Sequence, residues 1–135
     1  MIRLVNLTPH DIIIRSMSGE RVLICLEPSG EVARVEEEHA DMSHLHVFDP
    51  NPRLEKEAEV PVCSIKIDKV VGLPPPKEGH AFVVSSLVAE KLEGSRQDVF
   101  CPSGFVRNPA GDIIGCRSLT WRVGYKGTPT WGGWK

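Results

Sequence analysis

The chain has 135 residues, of which 41% are hydrophobic and 25% are charged, and its formal net charge is −2. This length predicts one domain with a buried core, and the mild charge balance argues against a general nucleic-acid binder. The longest apolar runs, such as residues 12–14, are strand-sized, which argues against a membrane helix. Residues 1–6 lack the basic-then-apolar layout of a signal peptide, so we expect a cytoplasmic protein.

The first 35 residues predict a meander of antiparallel strands. Apolar or β-branched segments of strand length occupy residues 2–6, 12–15, 21–26 and 31–35. A turn built around a proline follows the first segment, and a glycine in the loop after the second can adopt the positive φ of a hairpin. Short connections of this kind are typical of neighbouring antiparallel strands.

Residues 36–59 carry most of the negative charge, with eight acidic side chains against two basic ones. Together with two prolines, this composition predicts an exposed excursion around a short strand over residues 44–48. Alternation of polar and apolar residues returns over residues 60–67, which predicts another strand. Three prolines at 74–76 end any strand ladder there, because proline has no backbone donor.

The last well-patterned unit spans residues 79–121. Residues 81–85 predict an apolar strand, and residues 86–93 predict a short helix that a serine caps at its start and Gly94 closes. Residues 107–112 have the composition of a hairpin loop between two apolar segments. The unit therefore predicts a strand, a helix and then a hairpin.

These segments together predict an α+β fold, an antiparallel β-rich single domain with one or two short helices. We expect residues 1–121 to form one ligand-binding domain and residues 122–135, rich in glycine and tryptophan, to form a C-terminal tail. The sequence leaves open whether Trp131 and Trp134 are flexible or pack on a neighbouring subunit.

The best candidate for a metal site is the histidine cluster of the acidic segment. His44 and His46, two residues apart on a strand, would share a face with spacing that some metal sites use, and His39, Asp41 and Asp49 lie nearby. The alternative is an exposed acidic loop whose histidines only titrate near neutral pH. No second ligand group is anchored beside them, so we expect no bound metal.

The cysteines lie far apart, which favours reduced, partly buried thiols over a disulfide framework or a zinc site. Cys101 is the most plausible nucleophile, with His80 or His10 as its base, but buried thiols are common and inert. The sequence contains no nucleophile elbow, phosphate loop or dinucleotide fingerprint. We therefore expect no enzymatic activity, no catalytic residue and no cofactor.

The C-terminal third is the basic part of the chain, with six basic against two acidic residues from position 96 onward, and would favour an anionic partner. Arginine forks match phosphate oxygens, asparagine can read a base or ribose edge, and the amides at a helix start suit an anion. Candidates for nucleotide contact on this basis are Arg96, Arg107, Asn108, Arg117 and Ser86. Phe82, Phe100 and Phe105 could stack on a base, although aromatic residues in strands usually belong to the core. The alternative is that these arginines pair with neighbouring acids, which contributes little when the pair is exposed.

Five segments of the chain occur in an order that is specific to one group of proteins. They are Asn-Leu-Thr-Pro-His at 6–10, Pro-Ser-Gly followed by Val-Ala-Arg-Val at 28–35, Val-Gly-Leu-Pro at 71–74, Val-Val-Ser with Leu-Val at 83–88, and Val-Arg to Gly-Cys at 106–116. In this combination the chain resembles a family of small phage and prophage proteins. That family is identified as the family of the Thoeris anti-defence sponge, and the resemblance covers about residues 1–120.

The resemblance implies a protein that captures glycocyclic ADP-ribose, a signal made by host immune TIR enzymes, without cleaving it. It implies a homo-oligomer built from dimers, in the bacterial host cytoplasm, with pockets that involve neighbouring subunits; some members also hold cyclic oligonucleotides. Carried onto this chain, it gives Phe82 as the residue that stacks on adenine and Arg107 as a phosphate contact. The acidic segment and the tail differ from the family's pattern.

The leading hypothesis is thus a sponge that binds a cyclic nucleotide second messenger, with no membrane and no long nucleic acid as partner. Two alternatives stay open. One is a small metal-dependent enzyme that degrades nucleotides through His44 and His46, and the other is a structural or regulatory phage protein with no small ligand. The cyclic nucleotide isomer and the number of pockets are not fixed by the sequence.

Overall fold

A computed structural model describes residues 1–48 and 57–121 of the chain. These residues are mostly β-sheet with a single short helix, and they belong to two compact units. The first unit holds residues 1–35 and 70–121, and the second holds the described part of residues 36–69. The predicted tail at residues 122–135 lies outside the described residues.

Six strands of the first unit form one sheet, and two long strands form another. In chain order, the elements are β1 (Arg3–Asn6), β2 (Ile12–Arg15), β3 (Val22–Leu26), β4 (Arg34–Phe48), β5 (Glu57–Val71), β6 (His80–Val83), α1 (Ser86–Leu92), β7 (Val99–Arg107) and β8 (Ile113–Thr120). The strand order of the larger sheet is β1-β6-β7-β8-β2-β3, and β4 pairs with β5.

The larger sheet is mixed, so the prediction of an antiparallel sheet is wrong in its finer part. β1 pairs with β6, β6 with β7, and β2 with β8 in parallel, whereas β2–β3 and β7–β8 are antiparallel. Alternation of polar and apolar residues predicts strands but not their partners. Here β1 pairs with a strand more than seventy residues away instead of with β2.

The helix connects the parallel strands β6 and β7 and so completes a strand–helix–strand crossover. Ser85 is its N-cap, since its Oγ accepts a hydrogen bond from the Val88 amide at 3.3 Å. The C-cap is Glu93, with φ of 52°, so the left-handed turn begins one residue before the glycine that was predicted to close the helix.

Two hydrophobic clusters hold the first unit together, and β6 contributes to both. Phe82 and Val84 pack in a cluster with Leu7, the helix residue Val88 and other buried side chains. Val83 belongs to a second cluster with Ile12 and Cys116. Because successive strand residues point to opposite faces, the apolar run of β6 is explained by a strand that is covered on both sides.

Asn6 joins the first and last strands of the six-stranded order. Its side chain is 2% exposed; Nδ2 donates to the carbonyls of His10 (2.7 Å) and Leu26 (2.9 Å), and Oδ1 accepts from the Thr8 amide and hydroxyl. The Asn6 carbonyl also accepts from the Ser29 amide at 3.0 Å. The motif Asn-Leu-Thr-Pro-His therefore has a structural role, because the Asn6 side chain hydrogen-bonds the end of β1 to the end of β3.

Gly72 fits where no side chain can. Its φ is +81°, and a Cβ at this position would collide with the backbone oxygen of Val32. Glycine permits both the left-handed backbone and the close approach of the two chain segments.

The acidic segment differs from the predicted excursion around a short strand. β4 and β5 are fifteen residues each and pair as a two-stranded ribbon whose residues are nearly all exposed where described. Lys69 and Glu36 form an exposed ion pair across it at 3.7 Å. Acidic residues disfavour strands only weakly, and pairing with a partner strand overrides that preference.

Within residues 1–48 and 57–121, no helix has the length and apolar character needed to cross a membrane.

Candidate functional site

The six residues predicted to contact a ligand fall into two groups, one at the start of β7 and one in the half of β7 and β8 that leads to their hairpin turn. Phe82 pairs in register with Val99 at the start of the strand, whereas Arg107 is its last residue. At about 3.3 Å per residue, these two ends are roughly 26 Å apart. Within one chain, the aromatic and the arginine that the resemblance gave for one nucleotide therefore do not face the same ligand.

The first group consists of Phe82, Ser86 and Arg96. Phe82 is 4% exposed in the hydrophobic core, so its ring is not accessible to a base in this conformation. Ser86 is the first residue of a seven-residue helix and is exposed. The Arg96 guanidinium carbon lies 5.9 Å from the centre of the Phe82 ring, which is within cation–π range.

Arg96 forms an ion pair with a neighbouring acid, which is the alternative to phosphate contact that the sequence left open. Its Nε and Nη2 donate to the two carboxylate oxygens of Asp98 at 2.8 and 2.9 Å. The side chains are 18% and 3% exposed, so this is a nearly buried, bidentate pair. The carboxylate neutralises the guanidinium, and the pair fixes the loop that leads into β7. Phosphate binding by Arg96 stays a prediction that requires this pair to open.

The second group lies on the β7–β8 hairpin and includes Arg107 and Asn108. Arg107 is exposed, and its Nη1 donates to the Gly111 carbonyl at 2.7 Å. Asn108 Oδ1 accepts from the Asp112 amide at 3.0 Å and so shapes the turn. Among the described residues, no carboxylate lies within ion-pair distance of Arg107, so its charge remains available to an anion.

Arg117, on β8, completes the second group. Its Nε donates to the Met17 carbonyl at 2.9 Å and its Nη1 to the Phe105 carbonyl at 3.3 Å. It is half-buried, and again no described carboxylate pairs with it. Backbone carbonyls thus hold this guanidinium in place without neutralising it.

Several cavities open on the first unit. Arg96 lines a small one of about 10 Å³ beside Gly94 and Val99, and two others are lined by none of the six predicted residues. One, of about 170 Å³, is an apolar hollow lined by β2, β7 and β8 residues that include Ile13, Phe105 and Ile113. The other, of about 550 Å³, lies where β1 and β3 diverge and includes Leu4 and Ile24 in its wall. The hollow is the size of a single aromatic ring, since an apolar cavity of about 150 Å³ accepts benzene.

The histidines and cysteines that the sequence singled out lie apart. His46 Nε2 is 3.3 Å from a carboxylate oxygen of Glu57, and His39 Nδ1 is 3.8 Å from the sulfur of Cys63, all on the exposed ribbon. The described residues contain no group of three or more potential ligands that could hold a metal ion. Cys101, the candidate nucleophile, is buried.

Burial also sets the chemistry of Cys116. Desolvation raises the pKa of its thiol above the ordinary value, and hydrogen bonds from the backbone at Ser103 and Ser118 offset this only in part. The thiol therefore stays protonated at neutral pH and is a poor nucleophile.

Arg15 was not among the predicted contacts, and Phe105 was predicted only as one of three phenylalanines that could stack on a base. Arg15, at the end of β2, donates from Nε to the Ile114 carbonyl at 3.1 Å and from Nη1 to the Gly19 carbonyl at 3.2 Å. Phe105 is 53% exposed beside the apolar hollow. Their sequence signals were weak, because an arginine after an apolar strand and a phenylalanine in a strand are both ordinary.

Comparison of the chain with protein-family models, with curated proteins and with solved structures finds no match.

Proposed function

We propose that the protein is a phage anti-defence sponge, which binds a cyclic nucleotide immune signal in the bacterial cytoplasm and releases it intact. Glycocyclic ADP-ribose is the first ligand to test, because the resemblance points to it. The observation that carries the proposal is the pair of guanidiniums on the β7–β8 hairpin. Arg107 and Arg117 are held by backbone carbonyls, and no described carboxylate neutralises them.

A capture protein requires this type of surface. It has to stabilise the ground state of an anionic ligand and needs no group that acts only in a transition state. Guanidiniums that are already fixed in position lose little conformational freedom when they bind phosphate, which favours tight binding. Asn108 shapes the turn that follows Arg107, since its Oδ1 accepts a hydrogen bond from the Asp112 amide.

We assign base stacking to Phe105 in place of Phe82. Phe105 is 53% exposed, lies two residues from Arg107, and borders a hollow that fits one ring. Stacking of a base on an aromatic side chain contributes about 1–3 kcal/mol. Phe82, in contrast, is part of the core, so its replacement is expected to destabilise the fold.

A whole cyclic ADP-ribose isomer needs more enclosure than the hollow offers, since small-molecule sites usually measure about 300–1,000 Å³. We therefore propose that a second copy of the chain completes the pocket, in keeping with the oligomer that the resemblance implies. The exposed position of Phe105 and Arg107 near the hairpin leaves both side chains accessible to such a partner.

The test is equilibrium depletion of glycocyclic ADP-ribose by the purified protein, with free ligand measured after ultrafiltration. The variants are Arg107→Ala and Phe105→Leu, with the exposed Arg21→Ala as a matched control. We expect each test variant to weaken binding at least tenfold, which corresponds to about 1.4 kcal/mol, while the control binds like the unchanged protein. Depletion that is absent in the unchanged protein, or equal in all variants, would contradict the proposal.

A further inference from the structure

A half-buried pair of arginines converges on the turn between β2 and β3. Arg15 reaches this turn through the hydrogen bond from its Nη1 to the Gly19 carbonyl. Arg117 reaches it from β8 through the bond from its Nε to the Met17 carbonyl. Gly19 itself lies between them, since a Cβ on this residue would be 3.3 Å from Arg117 Nη2. Two positive charges that are distant in sequence therefore meet at the connection between β2 and β3.

The backbone fixes both side chains. Arg15 also donates from Nε to the Ile114 carbonyl, and Arg117 also donates from Nη1 to the Phe105 carbonyl. Each guanidinium thus makes two hydrogen bonds to carbonyl oxygens, out of five N–H groups. The remaining N–H groups have no acceptor among the described residues. The two hydrogen bonds of each side chain fix the orientation of its guanidinium plane.

The charges of this pair are not compensated. Both arginines are half-buried, yet neither has a described carboxylate within ion-pair distance. Two like charges at one turn repel each other, and no described carboxylate offsets that repulsion. Arg96, which does have its carboxylate, shows how this chain neutralises an arginine when the role is structural.

We propose that Arg15 and Arg117 form an anion site that takes a pyrophosphate or a similar phosphorylated group. Guanidinium forks bind phosphate oxygens in bidentate fashion, and two forks match the two phosphates of a pyrophosphate. This inference deepens the proposed function, on which it rests for the identity of the natural ligand. It adds Arg15 to the ligand contacts and places the phosphates at the β2–β3 turn.

The experiment measures binding of inorganic pyrophosphate by calorimetry for the unchanged protein and for Arg15→Gln and Arg117→Gln. The matched control is Arg21→Gln, an exposed arginine directly after the same turn. We expect each site variant to lose at least tenfold in affinity and the control to lose less than twofold. Affinity in the unchanged protein should fall as salt is raised, because the contact is ionic.

Arg117→Lys separates charge from geometry. Lysine keeps the charge but lacks the fork, so we expect it to recover only part of the affinity lost in Arg117→Gln. Urea denaturation of each variant shows whether it folds, and only folded variants enter the comparison. Equal pyrophosphate affinity in the unchanged protein and both glutamine variants would overturn the site, as would an equal loss in the Arg21→Gln control.

Capture of glycocyclic ADP-ribose by the same variants distinguishes the two proposals. Pyrophosphate binding that depends on Arg15 and Arg117, without any capture of the cyclic nucleotide, would support the anion site and refute the sponge. Capture that is unchanged in both glutamine variants would support the sponge and refute the assignment of the phosphates to this turn.

Discussion

Replacement of Arg96 by alanine should be among the most destabilising changes on the surface-facing part of the first unit. The variant removes the counter-ion of Asp98, whose side chain is only 3% exposed, and both hydrogen bonds of 2.8 and 2.9 Å. Removal of one partner of a buried ion pair costs about 3–5 kcal/mol, because a charge is left without compensation. The lost cation–π contact with Phe82 contributes about 0.5–2 kcal/mol to that loss.

The assay is urea denaturation of Arg96→Ala beside Arg107→Ala, an exposed arginine that makes one hydrogen bond to a backbone carbonyl. We expect the control to lose less than about 1 kcal/mol, as is usual for exposed interactions. The double variant Arg96→Met with Asp98→Asn should lose less than Arg96→Ala alone, since it leaves no buried charge. If Arg96→Ala loses no more than the control, the pair is a solvated surface contact and the reasoning is refuted.

Three further predictions concern the fold and its thiols. Asn6→Ala should lower the free energy of unfolding by about 2–4 kcal/mol, because two carbonyls lose a buried donor. A loss below about 1 kcal/mol, measured by urea denaturation, would show that water replaces the side chain as donor. Gly72→Ala should cost clearly more than Gly111→Ala, since both have positive φ but only Gly72 would place its Cβ against a backbone oxygen; equal midpoints would contradict this. Iodoacetamide should label the exposed Cys25 faster than the buried Cys116, with the extent of labelling measured by mass spectrometry. The difference in rate should persist above pH 9, because burial raises the pKa of Cys116. Equal rates would contradict the burial.

The raised pKa of Cys116 also makes the stability of the fold depend on pH. Since the folded chain keeps this proton at a pH where the unfolded chain has lost it, the contribution of the thiol to stability is present below the ordinary thiol pKa. It is lost as the pH rises through the folded value.

Much of the local structure follows from the sequence, while the strand partners do not. The strands at residues 12–15 and 81–85, the helix and the β7–β8 hairpin were predicted close to their observed bounds, because period and turn chemistry are local signals. The pairing of β1 with β6 and of β2 with β8 depends on contacts between distant segments, which alternation does not encode. The strands predicted over residues 44–48 and 60–67 lie within the long ribbon, but its full length was not predicted, because acidic residues interrupt the alternation.

For the candidate site, too, the sequence predicts the residue types but not which distant residues come together. Residue type alone identified Arg107 and Arg117 as potential phosphate contacts, and they are without a carboxylate partner among the described residues. The same reasoning could not separate them from Arg96, whose acid lies two residues away and is nearly buried. Nor could it find Arg15, whose place beside Arg117 arises from the parallel pairing of β2 with β8.

The most direct test of the sponge is the recovery of its ligand. The protein is mixed with glycocyclic ADP-ribose below the protein concentration, free ligand is measured, and the protein is then denatured by heat. We predict that the ligand disappears from the free fraction and returns after denaturation with unchanged mass and chromatographic retention, in an amount equal to that captured. Recovery of a cleaved product, or a free fraction that never falls, would contradict the account.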